Sequence, residues 1–102
     1  MKGYYYLHTN GDLIYKPSIV VDNDPKYFDS PFVKKVWQID TCNRQTLIEM
    51  LTEAKKDKVT KQSRIKEIEK KSNVTEKDYE CYRRIKNGED YNKVVKEIFG
   101  GN

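Results

Sequence analysis

The chain has 102 residues and a formal net charge of +4, from 20 Lys+Arg against 16 Asp+Glu; it is 36% hydrophobic, 35% charged and 12% aromatic. That length suits one small domain, and no apolar run approaches the roughly 18 residues that cross a bilayer. Five Gly, three Pro and two Cys exclude collagen-like and disulfide-framework classes, and the opening Met1-Lys2-Gly3-Tyr4 runs into a strand pattern rather than a secretory leader.

Tyr4-Tyr5-Tyr6-Leu7-His8-Thr9 is rich in strand formers, Asn10-Gly11 suits the positive φ angles of a type I′ turn, and Asp12-Leu13-Ile14-Tyr15-Lys16 returns. A two-residue loop sets Thr9 opposite Asp12, His8 opposite Leu13, Leu7 opposite Ile14 and Tyr6 opposite Tyr15. One face then carries Tyr5, Leu7 and Ile14, and the other Tyr4, Tyr6, His8, Leu13 and Tyr15, so each face needs a cover. Pro17 ends the second strand. Ile19-Val20-Val21 is a short apolar run, read as a third strand or a bend. Asp22-Asn23-Asp24-Pro25 and Asp29-Ser30-Pro31 are turn chemistry around Tyr27-Phe28. Phe32 to Ile39 reads as a further strand, with Val33, Trp37 and Ile39 on one face and Lys35 intruding.

From Asp40 the apolar period becomes helical. Asp40 or Thr41 caps a helix whose stripe is Leu47, Ile48, Leu51 and Ala54, and Lys55-Lys56-Asp57-Lys58 suits its end. A second helix over about 60–72 carries mainly Ile65 and Ile68. Thr75-Glu76-Lys77-Asp78 resembles a capping box and opens a third, with Tyr79, Tyr82 and Ile85 on one face and Asn87-Gly88 at its end. Glu89-Asp90 begins a last helix with Tyr91, Val94, Val95, Ile98 and Phe99 inward, ended by Gly100-Gly101.

The expected fold is therefore α+β: a small antiparallel sheet of two to four strands, then three or four helices packed on one face. Residues 1–40 form an aromatic β unit and 41–102 a charged helical part of one domain. Charge divides the same way, with −1 over residues 1–54 and +5 over 55–102. At this size a chain buries only about two-thirds of its surface, which favours modest stability or self-association as a homodimer.

The sharpest constellation resembles a helix-turn-helix. Ile68, Val74 and Tyr79 have its apolar spacing, Asn73 stands where Gly is usual, and Thr75 is placed to cap the recognition helix. Glu69 departs from the pattern, because the residue after Ile68 is normally small where the helices cross. In the nucleic-acid reading, Lys61, Arg64, Lys70, Lys71, Lys77, Arg83 and Arg84 are the contact residues, within a longer basic run of Lys55, Lys56, Lys58, Lys61, Arg64, Lys66, Lys70 and Lys71. The bland reading is two antiparallel helices with a solvated charged face. Tyr4, Tyr6, Tyr15 and Trp37 are candidates for protein contact, against the alternative that they build the core of the sheet.

Other polar clusters point to ordinary roles. His8 beside Asp12 lies at a hairpin tip, where a general base lacks a pocket and a positioned partner. Asp22, Asp24 and Asp29 match no calcium loop and are explained by turns. Cys42 and Cys81 form no metal-binding or redox pair and read as reduced thiols. No catalytic set, cofactor loop or metal motif emerges, so a non-enzymatic role is expected.

The run Tyr4-Tyr5-Tyr6-Leu7-His8-Thr9-Asn10-Gly11-Asp12-Leu13-Ile14, followed by Lys16-Pro17, resembles the opening of a family of small uncharacterised phage and prophage proteins. These also carry segments like Asp29-Ser30-Pro31-Phe32-Val33 and Val36-Trp37-Gln38-Ile39-Asp40, a helix start like Asn43-Arg44, and a later charged helix pair like that from Arg64 to Arg84. The resemblance covers roughly residues 4–85 and implies a mobile-element origin and an accessory role, without supplying an activity or catalytic residues.

The expected function is a non-enzymatic accessory binding protein, cytoplasmic in a bacterial host. It acts on a host protein or nucleoprotein complex, as inhibitors of host defence do. One alternative is a small nucleic-acid-binding regulator using the helix-turn-helix-like segment; another is a phage structural or assembly component.

Overall fold

A computed structural model describes residues 2–40 and 42–100. Strands β1 (Lys2–His8), β2 (Leu13–Pro17) and β3 (Val33–Asp40) make one antiparallel sheet in the order β2-β1-β3. Helices α2 (Arg44–Lys56), α3 (Gln62–Ser72), α4 (Glu76–Lys86) and α5 (Tyr91–Ile98) follow it, and a one-turn helix, α1 (Ser18–Asp22), links β2 to β3. The α+β class read from the sequence is the observed one.

The hairpin differs in register from its two-residue expectation. Gly11 N donates to His8 O, His8 N donates to Asp12 O, and Gly11 takes φ +94°. Among the described residues Asn73 is the one non-glycine with positive φ, so Thr9 and Asn10 cannot form a type I′ turn. The connection is a three-residue loop with glycine in the left-handed position, which sets up a one-residue bulge. Leu7 therefore faces Leu13, Tyr6 faces Ile14 and Tyr5 faces Tyr15. A one-residue slip exchanges faces: Leu13 and Tyr15 join Leu7 and Tyr5, while Ile14 joins Tyr4 and Tyr6.

A second irregularity, between Leu7 and His8, shifts the β3 register so that Leu7 faces Lys35 and His8 faces Val33. Val33 thereby leaves the Trp37 and Ile39 face and lines a hollow with Tyr6, His8 and Phe32. Both sheet faces are covered, as the sequence suggested. On one side Phe28 packs on Tyr4 and Tyr6, with ring centres 5.6 Å apart in each case, and Phe32 stacks on His8. Ile19-Val20-Val21 supplies helix α1 rather than a strand, with Ile19 72% exposed. Helix α1 begins at Ser18, directly after β2 ends at Pro17, and the outer edge of β2 stays unpaired among the described residues.

The other face meets the helices. Leu7, Leu13, Trp37 and Ile39 join Ile48, Met50, Leu51, Ala54, Ile65 and Ile68 in one buried cluster that also takes in Val74 and Tyr79. Met50 is fully buried and Leu47 only partly so, a small rotation of the expected α2 stripe. The α2 cap is Asn43, whose side chain accepts from Gln45 N at 3.1 Å; Asp40 belongs to β3, and Thr41 lies outside the described residues. In α5, Val94 is fully buried, whereas Tyr91 and Phe99 are exposed rather than inward. An eight-residue helix packed mainly on α4 cannot turn so wide an apolar stripe to the core. Gly100 takes φ +61° beyond it, and Gly101 lies outside the described residues.

The hairpin tip docks on the α2–α3 connection. Lys61 N donates to Gly11 O at 2.9 Å, and Arg64 Nε donates to Leu13 O at 2.8 Å. A β-carbon on Gly11 would stand 2.2 Å from Val59 O, so only glycine admits this approach.

Candidate nucleic-acid interface

Helices α3 and α4 are joined by a turn whose chemistry is local. Asn73 takes φ 55°, ψ 39°, the left-handed conformation that asparagine tolerates best after glycine, and Val74 N reaches back to Glu69 O at 2.9 Å. Thr75 then caps α4: its N–H donates to Asp78 Oδ2 at 2.8 Å, completing the capping box. Ile68, Val74 and Tyr79 are all buried, as the helix-turn-helix spacing requires.

Two side chains fasten this pair of helices to α2. Arg44 Nη2 donates to Asn73 O at 2.7 Å and pairs with Asp78 through Nε at 3.3 Å, so one guanidinium holds both the turn and the α4 cap. Burial pushes the Asp78 carboxyl up. The Thr75 N–H and the Arg44 guanidinium more than offset this and leave its pKa below the ordinary carboxylate range. Asp78→Ala is accordingly expected to cost about 1–2 kcal/mol at neutral pH, the usual worth of a helix cap. The folded pKa lies below the unfolded one, so this contribution is complete above about pH 4 and is lost as pH falls through the folded value. Urea melts of both proteins should converge only in acid.

Glu69 is the second fastening. It accepts from Tyr79 Oη at 2.7 Å and pairs with Lys55 Nζ at 3.0 Å, and that ammonium also sits 3.8 Å from the centre of the Tyr79 ring. Burial, with the Glu69 carboxylate beside it, pushes the Tyr79 phenol well up, so it stays a donor. The residue that breaks the helix-turn-helix pattern is thus built into the joint between α2, α3 and α4.

The predicted contact residues divide. Arg64 is committed to the hairpin, bonding Leu13 O and pairing with Asp12 and Glu67. Arg84 is committed to Glu89, at 2.7 Å, and to Glu97, and these carboxylates hold it firmly protonated. Lys61, Lys70, Lys71, Lys77 and Arg83 are exposed and make no carboxylate pair among the described residues; Lys58 and Lys66 share this state. Lys66 and Lys70 are one turn apart on the same outer face of α3. The exposed side of α4 mixes Lys77 and Arg83 with Glu76 and Glu80, so the more basic face belongs to α3, where Glu67, 68% exposed, stands among Lys66, Lys70 and Lys71.

The aromatic candidates also divide. Trp37 is 9% exposed and donates from Nε1 to Glu53; that bond, and then Lys35, hold the Glu53 carboxyl below its usual range. Tyr4 and Tyr6 are half-buried under Phe28. Tyr15 alone of the four is exposed, at 38%, with its ring lying over Gly3 and 5.3 Å from that of Tyr5.

The remaining polar clusters are spent locally. His8 Nδ1 accepts from Asn10 N, and Asp24 Oδ1 from Lys26 N. Cys42 is exposed and Cys81 buried, and burial raises the Cys81 thiol. Both border an open groove with Arg44, Tyr91, Val95 and Phe99, a feature the sequence reading missed by placing those aromatics inward. No helix among the described residues is long and apolar enough to cross a membrane. Comparison with protein-family models, with curated proteins and with solved structures finds no match.

Proposed function

We propose that this chain is a non-enzymatic accessory protein of a mobile element that acts on a host nucleic acid or nucleoprotein complex, contacting it through the outer face of α3. One observation carries the reading. Among the described residues Lys58, Lys61, Lys66, Lys70 and Lys71 are exposed without carboxylate partners, while the two acids of α3 pair with Arg64 and with Lys55 and Tyr79. A helix that exposes more cations than acids presents a net positive field, and a polyanion gains by releasing counterions to it. The mixed charge of the exposed α4 face speaks for phosphate contact in preference to base reading by that helix. The mobile-element origin rests on the resemblance of the opening segment.

The test is a pull-down of the tagged protein from host lysate, with and without nuclease, at low and high salt. Nucleic acid should be recovered at low salt and lost at high salt. Lys66→Glu/Lys70→Glu should lower affinity for a labelled oligonucleotide at least about ten-fold and flatten the salt dependence by about two phosphate contacts. Recovery of a defined host protein that survives nuclease and ignores both substitutions would overturn this reading.

A further inference from the structure

The fold brings together two features that lie far apart in the sequence, the aromatic hairpin and the basic helix. Between β2 and α3 runs a cleft of about 310 Å³, with Tyr5 and Tyr15 on one side and Arg64 and Lys71 on the other. Its floor is Ile39, Leu47 and Ile68, part of the core or packed against it. That volume lies at the small end of ligand clefts, which start at about 300 Å³, so it suits a single planar group rather than an extended ligand.

Each wall has a fixed geometry. The Tyr5 and Tyr15 rings are 5.3 Å apart and inclined at 56°, and Tyr15 rests on Gly3, where any β-carbon would meet the ring at 2.5 Å or less. The guanidinium of Arg64 is held by Leu13 O and by Asp12, 26% exposed, so its position is set before anything binds. Lys71 is exposed, has no carboxylate partner among the described residues, and belongs both to this cleft and to the basic face of α3.

We propose that this cleft captures one unstacked base of a single-stranded nucleic acid, stacked on Tyr15, with the adjoining phosphate on Lys71 and the strand continuing along Lys70 and Lys66. The inference rests on the polyanion reading above and narrows it. Aromatic rings recognise any base through its π-face, while cations track the backbone, which is the usual division of labour in single-strand binding. A duplex keeps its bases stacked and offers the cleft nothing but phosphate.

Three labelled probes of about a dozen nucleotides test this on the full chain: oligodeoxythymidine, a backbone of the same length made of abasic sites, and a duplex. Fluorescence anisotropy at low salt should show the base-bearing strand bound about ten-fold more tightly than the abasic one, and more tightly than the duplex. Tyr15→Ala should erase the advantage of the base without changing abasic binding, and Tyr15→Phe, which keeps the ring, should restore it. Equal affinity of the unaltered protein for strand and abasic backbone, or a preference for the duplex, would overturn base capture while leaving the polyanion reading intact. No binding of any probe at low salt would overturn both. The comparison of probes needs no variant, so it stands even where Tyr15→Ala fails to fold.

Discussion

Gly11→Ala is expected to lower stability by about 3 kcal/mol, which for a domain of this size is a fall in Tm of about 15 °C. Two costs add. Alanine at φ +94° loses about 1 kcal/mol relative to glycine. Its β-carbon would also stand 2.2 Å from Val59 O, a backbone atom that cannot swing away. The hairpin tip must then back off from the α2–α3 connection, and the bond from Lys61 N to Gly11 O is lost at a further cost of about 1–2 kcal/mol. Gly88 provides the control. It takes φ +96° after α4 and a β-carbon there meets nothing within 4 Å, so Gly88→Ala should cost only about 1 kcal/mol. Thermal melts of the two variants separate strain from docking. Equal losses would mean that the tip contact adds nothing.

Glu69→Ala is expected to cost about 2 kcal/mol, although alanine is the type of residue that a close helix crossing favours at this position. The Tyr79 hydroxyl, on a ring only 4% exposed, would lose its acceptor, and Lys55 would keep only the ring beneath it. Tyr79→Phe removes the hydroxyl alone and should cost less, since Glu69 keeps Lys55. The double variant should cost less than the two singles together, because both remove the same bond. A stabilised Glu69→Ala would show instead that α3 and α4 seek a closer crossing, as in a helix pair built to read a groove.

How far the sequence is legible follows from the range of the forces involved. Caps and turns are local, so Asn73, Thr75, Asp78 and the Asn87-Gly88 stop could be read directly. Apolar period located α2, α3 and α4 to within two or three residues, the start of α2 being the widest miss. The Asn10-Gly11 signal marked a turn but not its length, and that single residue decided which aromatic ring joined Tyr5. Seen at the right register, Tyr15 pairs with Tyr5 and the cleft beside α3 comes into view; at the wrong one it does not. The fates of Arg64 and Arg84 were hidden for a different reason. Their carboxylates and carbonyls lie on other elements, and a basic run in sequence does not say which of its members the fold consumes.

The strand order has a consequence for synthesis. The middle strand of the sheet, β1, leaves the ribosome before either neighbour. It can pair with β2 within about a dozen residues, yet its other edge stays bare until β3 has emerged at Asp40, and the docking of its hairpin tip waits for Lys61. Through that interval Tyr4-Tyr5-Tyr6-Leu7 presents an aromatic ribbon with an open edge, the kind of surface that recruits chaperones or sticks to its own copies. Slow translation between residues 17 and 61 should therefore lower the soluble yield of this protein more than slow translation after residue 61.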